Sequence, residues 1–319
     1  MKVLVVRFSS IGDIVLTTPV LRCLKQQTGA EVHVVTKNAY RSLFDANPYT
    51  DRVFTFSKAI TECLPALKAE RYDHVVDLHN NLRSLRLWVA LRRPTTAFNK
   101  LNFEKWLMVT LHINRLPDRH VVHRYLDAVA PLGVSYDGAG LDYFIPDGQE
   151  VQPADMGLPR DFLVFAIGAN HNTKRLPLAR MIEVCHRLST PVVLLGGPGE
   201  QEDGERIRQA APDKVTNACG LLSLHGSASL IRQAGAVITH DTGMMHIAAA
   251  FRKPVFSIWG NTIPAFGMYP FYPDGPTLNT TLEVHGLRCR PCSKIGFDRC
   301  PKGHFRCMEE QDLRILAGR

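Results

Sequence analysis

The stretch "KVLVVRFSSIGDIVLTTPVL", residues 2–21, decides the fold class. Its first five residues form an apolar run that predicts a buried β-strand, and a helical pattern covers residues 14–26 after the turn at Gly12. A strand, a glycine turn and a helix commonly cradle a phosphate. Here Asp13 follows Gly12 directly, and its negative charge would repel a phosphate. The stretch therefore predicts an α/β unit whose first turn holds a carboxylate, Asp13, that either caps the following helix or faces another kind of ligand.

The same plan of strand followed by helix repeats along the chain. Apolar runs too continuous for a one-sided sheet predict parallel strands covered on both faces. The predicted strands are "KVLVVRF", "EVHVVT", "RVFTFS", "HVVDLH", "FLVFAIG", "PVVLLGG", "KVTNACG", "GAVITHD" and "PVFSIWG". Helices are predicted near 14–26, 39–46, 60–70, 83–92, 120–132, 177–188, 201–211, 225–234 and 244–251. With a linker rich in Pro, Gly and Asp at 144–161, the sequence predicts two doubly wound domains, 1–150 and 151–319.

The composition is that of a globular protein without a membrane span. The chain has 319 residues, 45% hydrophobic and 21% charged, as in a globular protein. Arg7 interrupts the first apolar run too early for a signal peptide, and no apolar run reaches about 18 residues. We therefore expect a cytoplasmic protein without a membrane span.

Positive charge is concentrated in one segment of the chain. The net charge is +8, and residues 83–124 hold nine Lys or Arg against two acidic residues, with aromatic residues between them. One interpretation is a solvated helical face. The other is a surface for an anionic partner, either nucleic acid or phosphate-bearing lipid.

Two stretches in the second half have the chemistry of a phosphate site. "DTGMMHIAAA" (241–250) follows a strand, so the unpaired N–H groups at Thr242 and Gly243 can bind a phosphate. Asp241 would cap the helix or accept a sugar hydroxyl, and His246 would pack in the core or point to the same end. In "TKRLP" (173–177), Lys174 is a candidate phosphate contact or an ordinary loop lysine. In "LLGGPGE" (194–200), Glu200 suits hydroxyl recognition better than phosphate binding.

The eight cysteines form two groups. Cys23, Cys63, Cys185 and Cys219 are scattered and expected to be buried. The other four lie in "CRPCSKIGFDRCPKGHFRC" (289–307) together with His304, a spacing that suits a structural zinc ion, although a disulfide or free thiols stay open as alternatives. The candidate zinc ligands are Cys289, Cys292, Cys300 and Cys307.

Together, "RFSSIGDIVLTTP", "DLHNNLRS", "TKRLP", "LLGGPGE" and "DTGMMHIAAA" resemble family 9 glycosyltransferases, the heptosyltransferases of lipopolysaccharide core assembly. The resemblance covers nearly the whole chain. It implies a GT-B fold of two Rossmann-like domains, with the acceptor in the N-terminal half and the nucleotide-sugar donor in the C-terminal half. One position departs from the family pattern, since Leu176 stands where many members have an aromatic residue.

The resemblance also implies roles for individual residues. Asp13 would be the catalytic base, facing the acceptor across the cleft. The donor would be held by Thr173, Lys174, Glu200, Asp241, Thr242, Gly243 and His246. The acceptor would be bound by Ser10, Gly12, Asn80, Asn81, Arg83 and Arg124. No D-x-D pair is present, which fits diphosphate stabilisation by Lys174 and the helix without a metal cofactor.

The expected substrates are ADP-heptose and an anionic glycolipid, which places the protein in peripheral contact with the cytoplasmic face of the inner membrane. The alternatives are an epimerase or hydrolase of nucleotide sugars and a zinc-containing nucleic-acid-binding protein. The sequence has no basic recognition helix and no RNA-binding aromatic motif, so no nucleic-acid partner is expected. A dehydrogenase is disfavoured because no G-x-G-x-x-G follows the first strand.

Overall fold

A computed structural model describes all 319 residues. The chain forms two compact units, the first from residues 1–101 and 119–144, the second from residues 102–118 and 145–319. The sequence-based division at residue 150 lies six residues beyond the point where the chain enters the second unit for good. Within the predicted linker, Pro153–Met156 form a short 3-10 helix.

The first unit is built on a five-stranded, all-parallel sheet. Its strands are β1 (Lys2–Val6), β2 (Glu31–Lys37), β3 (Arg52–Phe56), β4 (His74–Asp77) and β5 (Thr95–Ala97), in the order β3-β2-β1-β4-β5. The helices up to residue 144 are α1 (Ile11–Val15), α2 (Thr18–Thr28), α3 (Ser42–Asp45), α4 (Leu64–Ala69), α5 (Leu82–Leu91), α6 (Asn102–Leu111) and α7 (Val121–Asp127). All belong to the first unit except α6, which lies in the second.

The second unit repeats the plan with six parallel strands. They are β6 (Leu163–Ala166), β7 (Val192–Leu195), β8 (Val215–Asn217), β9 (Ala236–His240), β10 (Val255–Trp259) and β11 (Asn279–Glu283), in the order β11-β10-β9-β6-β7-β8. Its remaining helices are α8 (Leu178–Arg187), α9 (Gln201–Ala210), α10 (Leu224–Gln233), α11 (Gly243–Ala250) and α12 (Arg306–Glu309). The predicted architecture of two doubly wound parallel-sheet domains is confirmed.

The strands are buried, which is why continuous hydrophobic runs in the sequence predict their positions. In β1 the residues from Val3 to Val6 are at most 1% exposed, and in β7 and β10 every residue is buried. Sheets covered on both faces need such continuous apolar strands. None of the helices has the length and apolar character needed to cross a membrane.

Several elements differ from the sequence-based prediction. The first helix begins at Ile11 rather than residue 14, because Ser10 adopts an extended conformation and starts the helix. Four elements were not predicted. These are the edge strands β5 and β11 and the helices α6 and α12.

Candidate active site

Each sheet reverses its strand order at one point, and the candidate residues follow the strands on either side of that point. In the first unit the reversal lies between β1 and β4, which precede Asp13 and Asn80 respectively. In the second it lies between β6 and β9, which precede Lys174 and Asp241. Ligands of doubly wound sheets bind at the carboxyl ends of the strands at such switch points. Each unit therefore presents its candidate residues where its own fold favours a ligand.

Asp13 lies in the first turn of α1 and is held by a buried arginine. Its Oδ1 is 2.6 Å from the Arg7 guanidinium, and its Oδ2 accepts hydrogen bonds from the Ser10 hydroxyl (2.7 Å) and backbone N–H (3.2 Å). Tyr125 Oη lies 3.5 Å from Oδ1. The Asp13 side chain keeps 23% exposure, so the oriented carboxylate still faces solvent. Since Ser10 begins the helix, Asp13 is not its N-cap.

Arg7 was not recognised from the sequence, yet it organises this end of the sheet. Besides Asp13 it donates to the carbonyls of Ser9 (2.8 Å) and Leu78 and to the hydroxyl of Tyr125 (2.9 Å). Burial by itself would lower the pKa of Arg7, but the nearby Asp13 carboxylate raises the pKa above its ordinary value. Arg7 is therefore a permanent cation that fixes the Asp13 carboxylate.

A buried carboxylate, Asp77 at the end of β4, shapes the loop that carries the predicted acceptor residues. Asp77 Oδ1 accepts from the backbone N–H groups of His79 and Asn80 at 2.7 Å each, and Oδ2 accepts from the Trp88 indole at 2.8 Å. Burial lowers the pKa of His79 to about 3, with Arg7 adding to the effect, so this imidazole is neutral near pH 7. His79 is a further polar group at this sheet edge, and its position was not predicted from the sequence.

The predicted acceptor residues fall in different environments. Asn80 has a positive φ of 46° and donates to the Phe98 carbonyl at 2.9 Å, while Asn81 Oδ1 caps α5 by accepting from two backbone N–H groups. Gly12 is buried within α1 and Arg83 is exposed on α5. Arg124 is only 3% exposed, and burial lowers its pKa. Arg124 thus lies in the interior of the unit, on α7, and its predicted contact with an acceptor stays a prediction.

In the second unit, Lys174 and Asp241 form an ion pair of 2.6 Å across the switch point. Thr262 donates its hydroxyl to the same Asp241 oxygen at 2.8 Å, and Lys174 Nζ lies 3.4 Å from the Asp241 carbonyl. The next residue, Thr242, is the N-cap of α11. The ammonium group thus lies directly before a helix N-terminus, whose unpaired N–H groups and positive dipole favour an anion.

The other residues of α11 have different roles. Thr242 adopts an extended N-cap conformation with its hydroxyl 3.3 Å from that of Thr239, and Gly243 is the first helical residue. His246 is 2% exposed, within the part of the helix that packs in the domain. The predicted contact of His246 with a donor stays a prediction.

Thr173, predicted as a donor contact, is buried and engaged with the C-terminal tail. Its hydroxyl accepts from the Phe297 backbone N–H at 2.8 Å and donates to the Phe297 carbonyl at 3.0 Å. A Cβ on Gly260 would come within 2.8 Å of the Thr173 carbonyl, so only glycine fits there. Thr173 therefore ties the Lys174 loop to the tail, and its predicted contact with a donor stays a prediction.

Arg290 fixes the tail to the sheet. It donates to the carbonyls of Val284 (2.8 Å) and Thr262 (2.9 Å) and to Gly260, and it pairs with Glu283 at 2.9 Å. The tail that contacts Thr173 is thus anchored to the carboxyl ends of β10 and β11. No local sequence pattern predicts this arrangement, because two of the partners, Gly260 and Thr262, lie about 30 residues before Arg290.

Glu200 lies over the carboxyl end of β6. Its Oε2 accepts from the Gly197 N–H at 2.8 Å, Arg175 lies 3.5 Å from Oε1, and a Cβ on Gly168 would come within 3.1 Å of the carboxylate. His240, also absent from the predicted list, accepts from the Leu176 N–H through Nε2 at 3.0 Å. Burial lowers the pKa of His240 to about 3, so it is neutral and connects the Lys174 loop to β9.

The cysteines of the tail are all free thiols in this structure. Cys289 Sγ lies 3.8 Å from His304 Nε2, close to one edge of a tetrahedral zinc site, which is about 3.6 Å for ordinary bond lengths. The one group of three or more metal-binding side chains with ligand atoms within 4.8 Å of one another is Glu31, His33 and Glu70, which lies elsewhere. No three Cys or His side chains of the tail bring their ligand atoms within 4.8 Å of one another, so the structure does not assemble the predicted site and the zinc hypothesis stays a prediction.

Comparisons with known proteins agree with these features. The family model described as glycosyltransferase family 9 (heptosyltransferase) matches residues 60–292. Lipooligosaccharide heptosyltransferase 2 of Haemophilus influenzae is 25% identical over 93% of both chains. Lipopolysaccharide heptosyltransferase 1 of Pseudomonas aeruginosa is 28% identical over 92% of this chain and 86% of its own.

Solved structures share the fold. A family 9 glycosyltransferase from Veillonella parvula superposes with a TM-score of 0.79 at 23% identity, covering 99% of this chain and 94% of its own. An E. coli heptosyltransferase crystallised with ADP-2-deoxy-2-fluoro heptose gives 0.64 at 22% identity, covering 90% and 94%. With two Rossmann-like units of the GT-B class and a family match over most of its length, the chain belongs to glycosyltransferase family 9, the heptosyltransferase family.

Proposed function

We propose that this glycosyltransferase moves a heptose from ADP-heptose to an anionic glycolipid of the lipopolysaccharide inner core, with inversion at the transferred carbon. The observation that carries the proposal is the arrangement at the two switch points. One presents an oriented carboxylate, Asp13, and the other presents the Lys174 ammonium beside a helix N-terminus. The choice of sugar and nucleotide rests on the names of the related proteins and on the ligand of the E. coli structure.

Asp13 acts as the general base. Direct displacement of a nucleoside diphosphate requires a group that takes the proton of the attacking hydroxyl as the new glycosidic bond forms. Arg7 and Ser10 hold the carboxylate in one orientation, and its partial exposure leaves room for a hydroxyl to approach. A pre-oriented base lowers the entropic cost of reaching the reactive geometry.

Lys174 and α11 stabilise the departing diphosphate. Negative charge grows on the leaving oxygen as the sugar bond breaks, and fixed positive groups at that position lower the barrier. Asp241 pairs with Lys174 and keeps its ammonium near Thr242 and Gly243. In this role the lysine and the helix dipole supply the charge that a divalent cation supplies in other transferases, so we expect transfer to persist in a chelator.

The first unit handles the acceptor. Asn80 and the exposed Arg83 lie at or next to the loop after β4 and suit hydroxyl and phosphate groups. We place the enzyme at the cytoplasmic face of the inner membrane, in peripheral contact with it, where a lipid acceptor is available.

A ligand panel tests the proposal. Thermal unfolding of the full chain is followed with ADP, UDP, GDP and ADP-heptose, because a ligand that binds only the folded state raises the melting temperature. ADP and ADP-heptose should raise it most. A larger shift with a uridine or guanosine diphosphate would overturn the choice of nucleotide, and no shift with any of them would overturn the donor site.

A further inference from the structure

The outward face of α5 is apolar. At about 100° per residue, Leu82, Leu85, Arg86 and Val89 fall within an arc of about 100°, opposite the buried Ser84, Leu87 and Leu91. The side chains of Leu82, Leu85 and Val89 are 77%, 43% and 68% exposed. One exposed leucine is ordinary, but three aliphatic side chains in one stripe on a surface helix are not.

This stripe is bordered by cations without partners. Residues 82–93 hold four arginines, Arg83, Arg86, Arg92 and Arg93, and no acidic residue. None of the four lies within 4.0 Å of a carboxylate, and all are exposed. Some exposed arginines of the second unit pair with a carboxylate on the same helix or turn, as Arg206 does with Glu202 and Arg314 with Asp312. What distinguishes α5 is four unpaired arginines within twelve residues, next to an exposed aliphatic stripe.

We infer that this α5 face, formed by Leu82, Leu85, Arg86, Val89, Arg92 and Arg93, docks the enzyme on a bilayer that contains anionic phospholipids. Aliphatic side chains enter the boundary between head groups and acyl chains, while guanidinium groups bind the phosphates above it. A nucleic acid would match the arginines but leave the aliphatic stripe unused. The choice of a lipid surface rests on the proposed function, in which the acceptor is a glycolipid.

The experiment measures partition of the full chain onto vesicles of phosphatidylcholine alone or mixed with phosphatidylglycerol. Binding should require phosphatidylglycerol and weaken with salt. The triple variant Arg86→Ala, Arg92→Ala, Arg93→Ala should lower the partition coefficient on the order of 100-fold. The triple variant Leu82→Ser, Leu85→Ser, Val89→Ser should lower it about tenfold or more, since it removes the inserted apolar area.

The matched control removes three arginines from the second unit, Arg206→Ala, Arg208→Ala and Arg314→Ala, and should change binding by less than about threefold because the distant charges are screened. Equal losses in the control and the α5 variants, or equal binding to phosphatidylcholine alone, would overturn the inference. Transfer to a delipidated, water-soluble acceptor should be unchanged in every variant. Vesicle binding without any transfer would instead contradict the proposed function and leave the docking surface standing.

Discussion

At the residue scale, the orientation of the Asp13 carboxylate is set by side chains that a sequence pattern does not identify. Its position after a strand and a glycine could be predicted from the sequence, but Arg7, which orients it, looked only like an interruption of an apolar run. A buried arginine needs a carboxylate partner and carbonyl acceptors, and Arg7 has both. The pair explains why a charged residue follows the first strand.

Replacing Asp13 by Asn tests its role as the base. The amide cannot take a proton, so kcat should fall about 100-fold or more, while binding of ADP by the other unit stays the same. The matched control is Asp45→Asn, which removes another carboxylate paired with an arginine, Arg41, on the surface of the same unit. Activity of Asp13→Asn within about threefold of the wild type would remove Asp13 from the mechanism.

His240 predicts a pH dependence of stability. Its pKa is lowered to about 3 in the folded state, against about 6.5 when exposed, so between these values the unfolded chain binds one more proton. Stability should therefore fall as the pH drops below about 6.5. His240→Gln should reduce that slope by about 1.4 kcal/mol per pH unit between pH 6 and 5.

Urea unfolding at several pH values measures this slope. His79, whose pKa is also lowered to about 3, contributes with the same sign in both proteins and does not affect the comparison. The exposed His112 is the control position, and His112→Gln should leave the slope unchanged. An identical slope for wild type and His240→Gln would show that His240 is not held neutral by burial.

At the scale of elements, the loop after β6 is held between β9 and the tail. His240 binds it from one side and Phe297 from the other, which leaves Lys174 to face Asp241 and the start of α11. Both partners of this loop are distant in sequence. His240 lies 64 residues after Leu176, and Phe297 lies 124 residues after Thr173. The cysteine-rich tail contributes through its backbone and Arg290.

Lys174→Ala should weaken ADP binding by about 2–3 kcal/mol, the size of a lost charge-assisted contact. Lys174→Arg should recover only part, because a planar fork does not reproduce a point charge. Calorimetric titration gives the affinities, with Lys214→Ala as a control for a lysine that binds a backbone carbonyl elsewhere in the same unit.

Removing Lys174 also leaves Asp241 without its cation. The double variant Lys174→Ala, Asp241→Asn removes this extra negative charge, so it should bind ADP better than Lys174→Ala alone but less well than the wild type. Unchanged affinity in Lys174→Ala would mean that the diphosphate binds elsewhere.

Most strands of each unit could be predicted from the sequence, whereas the burial of side chains and the contacts between distant residues could not. Continuous apolar runs identified nine strands, whereas β5, with three residues, and β11, with a polar sequence, carried no such run. In the same way, the basic segment predicted charge but not burial, and the sequence does not show that Arg124 is buried while Arg83 is exposed. Burial and pairs distant in sequence, such as Thr173 with Phe297, depend on tertiary packing that local patterns do not encode.

At the scale of the whole molecule, the two units divide the chemistry between them. The first carries an oriented carboxylate, Asp13, and a basic, apolar helix face, and the second carries a cation beside a helix N-terminus. The proposed role of Asp13 favours a transferase over an epimerase or hydrolase, because a base for an acceptor hydroxyl has no use when no acceptor binds.

The most direct test of this account measures ADP release from ADP-heptose with and without a purified inner-core acceptor. We predict release that depends on the acceptor, with one heptose added to it in the inverted configuration, as mass spectrometry and NMR of the product would show. Release at the same rate without acceptor, with free heptose or an altered nucleotide sugar as the product, would contradict the account and identify a hydrolase or an epimerase.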